Sequence, residues 1–269
     1  MASKEIVFIT GANTGIGYET VKALLQSSQP HHVLLGARDV KKGDAAIQKL
    51  REEVPETSNT VEVVQIDVTD DDSVHKAIGY VKETFGKLDT LINNAGAQFD
   101  GLFTEDAPKA REIFNKDFDV NVSSAHVITL AAAPLLIASS SPRLVFITSG
   151  TATLIGNTKT LFPPWTPNPS GGWPKENLIV QPGYRASKTA LNMLMLTWYW
   201  LLKEDGVKVF SVSPGFLATG LGGFGAEKIK AMGAKEPRIG GELLKLVVEG
   251  GRDEDAGKVV FQDGAVQDW

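Results

Sequence analysis

Short apolar runs rich in β-branched residues recur along the chain, at residues 5–9, 32–35, 61–66, 88–92, 143–147, 207–212 and 258–261. Between most of them lie stretches long enough for a helix, with apolar residues three and four apart. Val21, Leu24 and Leu25 form one such stripe, and Ala46, Ile47 and Leu50 another. Strand-like runs that are apolar on both faces and alternate with helical segments predict a doubly wound, parallel α/β sheet of about seven strands. Those units use nearly all of the 269 residues, so a single domain is expected.

The rhythm breaks at residues 154–183, which hold Pro163, Pro164, Pro167, Pro169, Pro174, Pro182, Trp165 and Trp173. A linker rarely carries two tryptophans, and long loops inside compact domains are usually functional. The segment therefore reads as an ordered insertion. A glycine-rich stretch at 215–233, with Phe216, Leu217 and Phe224, reads as a mobile flap. Segments 122–138 and 190–202 are apolar nearly all round, so both sides of each need cover.

With 42% hydrophobic and 22% charged residues, the composition is that of a folded globular protein. The chain has no cysteine, which excludes disulfides, thiolate metal sites and cysteine nucleophiles and fits a cytoplasmic address. A net charge of −5, with no basic run longer than Lys41-Lys42, argues against nucleic acid as a partner. The N-terminal apolar stretch is too short for a signal peptide, and no uninterrupted apolar run approaches a membrane span.

Candidate chemistry begins after the first strand, at Thr10-Gly-Ala-Asn-Thr-Gly-Ile-Gly17. Glycines here permit a tight turn and let a pyrophosphate approach the free N–H groups of a helix N-terminus. An ordinary glycine turn joining strand to helix is the plainer alternative. The second strand leads into Ala37-Arg38-Asp39. Arg38 suits the 2′-phosphate of NADP, whereas Asp39 would suit the free ribose of NAD. Asp67, after the third strand, is placed either to meet an adenine amino group or to cap the next helix.

Tyr-x-x-x-Lys sets a phenol and an ammonium one helical turn apart, and such a cation is expected to pull the phenol towards neutrality. Three pairs have this spacing: Tyr18/Lys22, Tyr184/Lys188 and Tyr199/Lys203. Ligands of open α/β sheets bind beyond the carboxyl ends of the strands, where helices begin. Tyr184 follows Pro182-Gly183 and opens its helix; Tyr199 lies about 22 Å further along. Tyr184 is therefore the candidate. Ser149 ends a strand at the same edge, placed to steady a carbonyl oxygen or merely to cap a turn. The histidines, at 31, 32, 75 and 126, lack metal-ligand spacing.

Together, Thr10-Gly-x-x-x-Gly15-Ile-Gly17, Asn93-Asn-Ala-Gly96, Asn121, Ser149, Tyr184-x-x-x-Lys188 and Pro214-Gly215 stand in the order found in short-chain dehydrogenases/reductases, and the chain resembles that family from its first strand to about Phe261. The resemblance implies a Rossmann-type fold and NADP (NADPH) held by Gly11, Asn13, Thr14, Gly15, Ile16, Gly17, Arg38, Asp67, Val68, Asn94, Ala95 and Gly96. Pro214, Gly215 and Thr219 would flank the nicotinamide. It further implies Tyr184 as the acid of a reduction, Lys188 on the nicotinamide ribose and lowering the phenol's pKa, Ser149 on the substrate oxygen, and Asn121 bracing a relay water. Thirty-five residues separate Ser149 from Tyr184, against roughly a dozen in most members. Carbonyl reductase-like members also carry insertions there. Reduction of a ketone or aldehyde by NADPH is the resulting expectation, with Phe162, Trp165, Trp173, Phe216 and Phe224 as candidate apolar walls. An NAD-linked alcohol dehydrogenase and a catalytically idle dinucleotide sensor are the alternatives. In the family the helices at 122–138 and 190–202 commonly build an oligomer contact.

Overall fold

The structure is a computed structural model describing residues 4–100, 107–159, 170–172 and 181–269. Strand and helix alternate as β1 (Glu5–Ile9), α1 (Gly15–Leu25), β2 (His31–Ala37), α2 (Val40–Glu53), β3 (Thr60–Gln65), α3 (Asp71–Phe85) and β4 (Thr90–Asn93). Helix α4 (Ala107–Phe118) runs through a π-helical turn, Asp119–Ser123, into α5 (Ser124–Ile137). Then come β5 (Arg143–Ile147), α6 (Leu154–Lys159), α7 (Pro182–Leu202), β6 (Lys208–Ser213), α8 (Ala226–Ala231), α9 (Arg238–Val248), β7 (Val259–Phe261) and β8 (Val266–Gln267).

The strands form one sheet in the order β3-β2-β1-β4-β5-β6-β7-β8, parallel from β3 to β7. The seven expected strands are present, two with the expected ends and five with one or both ends shifted by one or two residues. The eighth, β8, is antiparallel to β7 and was not expected. Strand order reverses between β1 and β4, which opens a crevice at the carboxyl ends of these strands.

Alternation along each strand feeds two apolar layers. Phe8, Leu34, Leu91 and Phe146 pack with Ile128 of α5 and Met195 and Trp198 of α7. Their neighbours Val7, Ile9, Leu35 and Ile92 pack on the other face with Leu24 of α1 and Leu244 and Val247 of α9. The helices start where polar side chains take their free N–H groups. Asp39 accepts from Lys41 and Lys42 at the start of α2, and Asp70 from Ser73 at the start of α3.

Helices α5 and α7, expected to need cover on both sides, have it on one. Their inner residues are fully buried, while Leu130, Met193, Trp200 and Leu201 are each at least 60% exposed. The helical run Lys109–Ile137 is long and apolar enough for a membrane span by length and composition, yet half of that window is buried against the rest of the protein.

Candidate active site

The glycine turn after β1 is tied to the loop after β4. The Thr10 hydroxyl accepts the backbone N–H groups of Asn94 and Ala95 at 3.1 and 3.0 Å. Asn94 returns its side-chain amide to the carbonyls of Thr10 and Gly11 at 2.8 and 3.1 Å. No side chain fits at Gly17, where a Cβ would stand 2.6 Å from that amide and 2.8 Å from the Ala12 Cα. Thr14, Gly15 and Ile16 face the crevice at the start of α1, and the Thr14 side chain does not cap that helix. Its first N–H groups therefore point at a position suited to an anion.

Arg38 lies exposed beside the crevice, following β2. Asp39 does not line it; its carboxylate is engaged by the amides of α2 at 2.9 and 3.4 Å. Asp67 does line it, together with Val68. Its carboxylate accepts from the Thr69 amide and hydroxyl at 3.1 and 2.8 Å, and Asp70, not Asp67, caps α3.

At the reacting end, Tyr184 stands in the first turn of α7 and is buried. Burial pushes its phenol above the ordinary tyrosine value; a hydrogen bond with the Ser149 side chain works against this, and the charge of Asp117 works with it. Lys188 donates to the Ile147 carbonyl at 2.9 Å, its nitrogen 5.8 Å from the tyrosine ring centre. Burial also pulls Lys188 down, to about 8. The phenol is therefore raised by burial, not drawn down as the lysine spacing predicts. The Ser149 hydroxyl accepts from the Thr151 amide at 3.2 Å, capping a short turn, and also meets Tyr184.

Asn121 sits in the π-helical turn, a device common at functional positions. Its Oδ1 accepts from the Ala97 amide at 3.0 Å, and its Nδ2 donates to the Ala97 carbonyl and the Ser187 hydroxyl. A Cβ on Gly96 would lie 3.2 Å from both Asn121 Oδ1 and the Lys188 nitrogen. Asn121 thus stands behind Lys188 rather than in the crevice.

The two other tyrosine–lysine pairs lie elsewhere. The Tyr18 hydroxyl donates to Glu53, which also pairs with Lys22 at 2.8 Å. The Tyr199 ring packs over Gly257, ahead of β7 and away from the crevice. The crevice is a cleft of about 1290 Å³ running from Arg38 past the glycine turn to Phe216 and Phe224. Every cofactor residue expected from the sequence lines it except Gly17, which packs beneath. Phe162, Trp165 and Trp173 lie outside the described residues, as does most of the expected insertion.

Sequence reasoning missed the far wall and the backing of the site. Gln262, Val266 and Gln267 line the cleft, and the Gln267 amide donates to the Ser149 carbonyl at 3.3 Å. The signal for that wall was Asp263-Gly264, a hairpin turn between apolar residues. Asp100 and Asp117, behind Tyr184, gave only one: Asp117 follows the buried Ile113 by four residues, on the inward face of α4.

A family model described as short chain dehydrogenase matches residues 5–160. The chain is 44% identical over 267 residues to the short-chain dehydrogenase/reductase tropE of Talaromyces stipitatus, covering 99% of this chain and 98% of that one. It is 40% identical over 274 residues to the short-chain dehydrogenase/reductase eupG of a Phoma species, with the same coverage. Among solved structures, NADPH-bound carbonyl reductase from chicken fatty liver superposes with a TM-score of 0.79 over the full length of both chains at 25% identity.

Proposed function

Since the chain belongs to the short-chain dehydrogenase/reductase family of nicotinamide-dependent oxidoreductases, we propose that it is an NADPH-dependent reductase of ketones or aldehydes with Tyr184 as the proton donor. The observation that carries this reading is the buried Tyr184 phenol, kept protonated beside Ser149 at the carboxyl edge of the sheet.

The residues present fit the dinucleotide. Its phosphates suit the amides of Thr14, Gly15 and Ile16, and the space left by the missing Cβ of Gly96 lies beside Lys188. Arg38 is available for a 2′-phosphate, while Asp39, the group that would favour NAD, is occupied in capping α2. When bound, NADPH supplies hydride to the carbonyl carbon. Ser149 and Tyr184 hold the carbonyl oxygen, and the phenol gives it a proton as charge develops there. Lys188, cationic below about pH 8, favours the tyrosinate that remains. Phe216 and Phe224 line the outer cleft and favour an apolar substrate. The exposed apolar residues of α5 and α7 favour a homo-oligomer.

The test is Tyr184→Phe. Ketone-dependent NADPH oxidation should fall by about 10³-fold or more, while NADPH binding, followed by nucleotide fluorescence, persists. Unchanged turnover would remove Tyr184 from the chemistry. NADPH binding by the wild type without turnover on any of a broad panel of ketones and aldehydes would favour a dinucleotide sensor.

A further inference from the structure

Two acidic side chains lie behind Tyr184, outside the chemistry just described. Asp100 accepts the backbone N–H of Gly183 with one oxygen, at 2.9 Å, and that of Tyr184 with the other, at 2.8 Å. It therefore caps the first turn of the helix that carries the phenol. Asp117, on α4, is fully buried. Its Oδ1 accepts from the Phe99 amide at 3.1 Å, and its Oδ2 has no hydrogen-bond donor among the described residues. The two carboxyl groups meet at Gly183: a Cβ there would strike Asp117 Oδ2 and stand 3.3 Å from Asp100 Oδ1.

Two bare carboxylates in such a space repel one another and leave Asp117 Oδ2 unsatisfied, a costly arrangement for buried charge. One proton resolves both problems. Carried on Asp117 Oδ2, it makes that oxygen a donor, and the acceptor beside it is Asp100. Asp100 keeps its negative charge, which suits the amides at the start of α7.

We propose that Asp117 and Asp100 share one proton behind Tyr184, and that Asp117 is a positioning residue that clamps α4, the loop after β4 and the start of α7 together and sets the electrostatic environment of the phenol. The groups facing Asp117 are Asp100 and Phe99 from the loop and Tyr184 and Lys188 from α7. Burial and the Asp100 charge raise the Asp117 carboxyl to about 6. The shared proton is thus held below about pH 6 and is mostly lost towards neutral pH, where the extra charge raises both Tyr184 and Lys188. In physical terms, Asp117 helps hold the proton on the phenol until the substrate oxygen takes it. This tuning role rests on the proposed reduction; the shared proton does not.

The test uses the full chain and Asp117→Asn, which reproduces the protonated form: its Oδ1 accepts from Phe99 and its amide donates to Asp100, but it cannot ionise. Thermal unfolding is compared across pH. A carboxyl raised in the folded state costs stability above its folded pKa and nothing below its unfolded one. Asp117→Asn should therefore unfold at a higher temperature than wild type at pH 8, and the gap should close as pH falls through 6 towards 4. A gap that does not change with pH overturns the shared proton. Tuning is read without turnover, from the ultraviolet signature of tyrosinate, as the difference between each protein and its Tyr184→Phe partner. The Tyr184 midpoint should fall in Asp117→Asn; an unmoved midpoint overturns the tuning. Should the variant not fold, the carbon-13 carboxyl resonance of Asp117 in wild type decides, since titration in the ordinary aspartate range overturns the proposal. Loss of the proposed reductase activity alone would leave both readouts intact.

Discussion

The Lys188 ammonium donates to the Ile147 main-chain carbonyl at 2.9 Å, which pins the first turns of α7 to the carboxyl end of β5. Through that bond the lysine fixes the spacing between Tyr184, on its own helix, and Ser149, two residues beyond Ile147.

Burying this charge has a stability cost. With Lys188 drawn from 10.5 down to about 8, the folded state resists its protonation. The penalty is complete below pH 8 and vanishes as pH passes the unfolded lysine value. Lys188→Met removes it at neutral pH but loses the bond to Ile147. The variant should be more stable than wild type by about 1–2 kcal/mol at pH 7, with the advantage shrinking towards pH 10. Turnover should drop by about 10²-fold or more. Denaturant unfolding at several pH values, paired with carbonyl-dependent NADPH oxidation, checks both parts.

Under the proposed function, Arg38 is the group expected to separate the two nicotinamide dinucleotides. Arg38 lines the cleft while Asp39 is held by the amides of α2. Arg38→Ala should weaken NADPH binding by about 10- to 100-fold, the worth of a charge-assisted contact to phosphate, and leave NADH binding nearly unchanged. Titration of nucleotide fluorescence with each cofactor measures the ratio. Equal losses for both would show that the arginine does not read the 2′-phosphate.

Gly17 makes a different prediction although it belongs to the same motif. A Cβ there meets Asn94, Ala12 and the Gly11 carbonyl at 2.6 to 2.9 Å, and backbone atoms cannot give way cheaply. Gly17→Ala should destabilise the fold by about 1–3 kcal/mol and weaken NADPH and NADH alike, because it moves the phosphate turn common to both. Unfolding and the same two titrations distinguish it from Arg38→Ala.

Much of this architecture was legible because local pattern and tertiary role agree. Residues such as Val7 and Phe8 alternate between layers, and β-branched runs buried on both faces read as strands whichever helix covers them. Tyr184 could be chosen over Tyr199 by its place at a helix start, and over Tyr18, which also opens a helix, because the glycine turn occupies the surroundings of Tyr18. The rest depends on contacts across the fold. Nothing local says that Asp100 and Asp117 meet, since they approach only when α4 and α7 pack together. Nothing in Tyr184-x-x-x-Lys188 says that the phenol is raised, because burial belongs to the packed structure. Strand β8 was missed because two residues carry too little periodicity, although the Asp263-Gly264 turn announced it.

Asn121 carries the last prediction. Its amide satisfies both the N–H and the carbonyl of Ala97 and reaches the Ser187 hydroxyl at 3.0 Å, so it braces the floor beneath Lys188 and Gly96. Asn121→Ala strands two main-chain groups of the loop after β4 and should cost about 1–3 kcal/mol of stability. Asn121→Asp keeps the acceptor for the Ala97 amide but replaces a donor with a charge facing the Ala97 carbonyl and close to Lys188. That charge should raise the lysine, moving the high-pH limb of turnover upward, whereas the alanine variant should leave the limb in place. A side chain that only props the loop predicts that in the alanine variant kcat and KM are disturbed together. A side chain that acts on proton transfer predicts a lowered kcat at unchanged KM and unchanged NADPH affinity, and steady-state kinetics across pH separate the two.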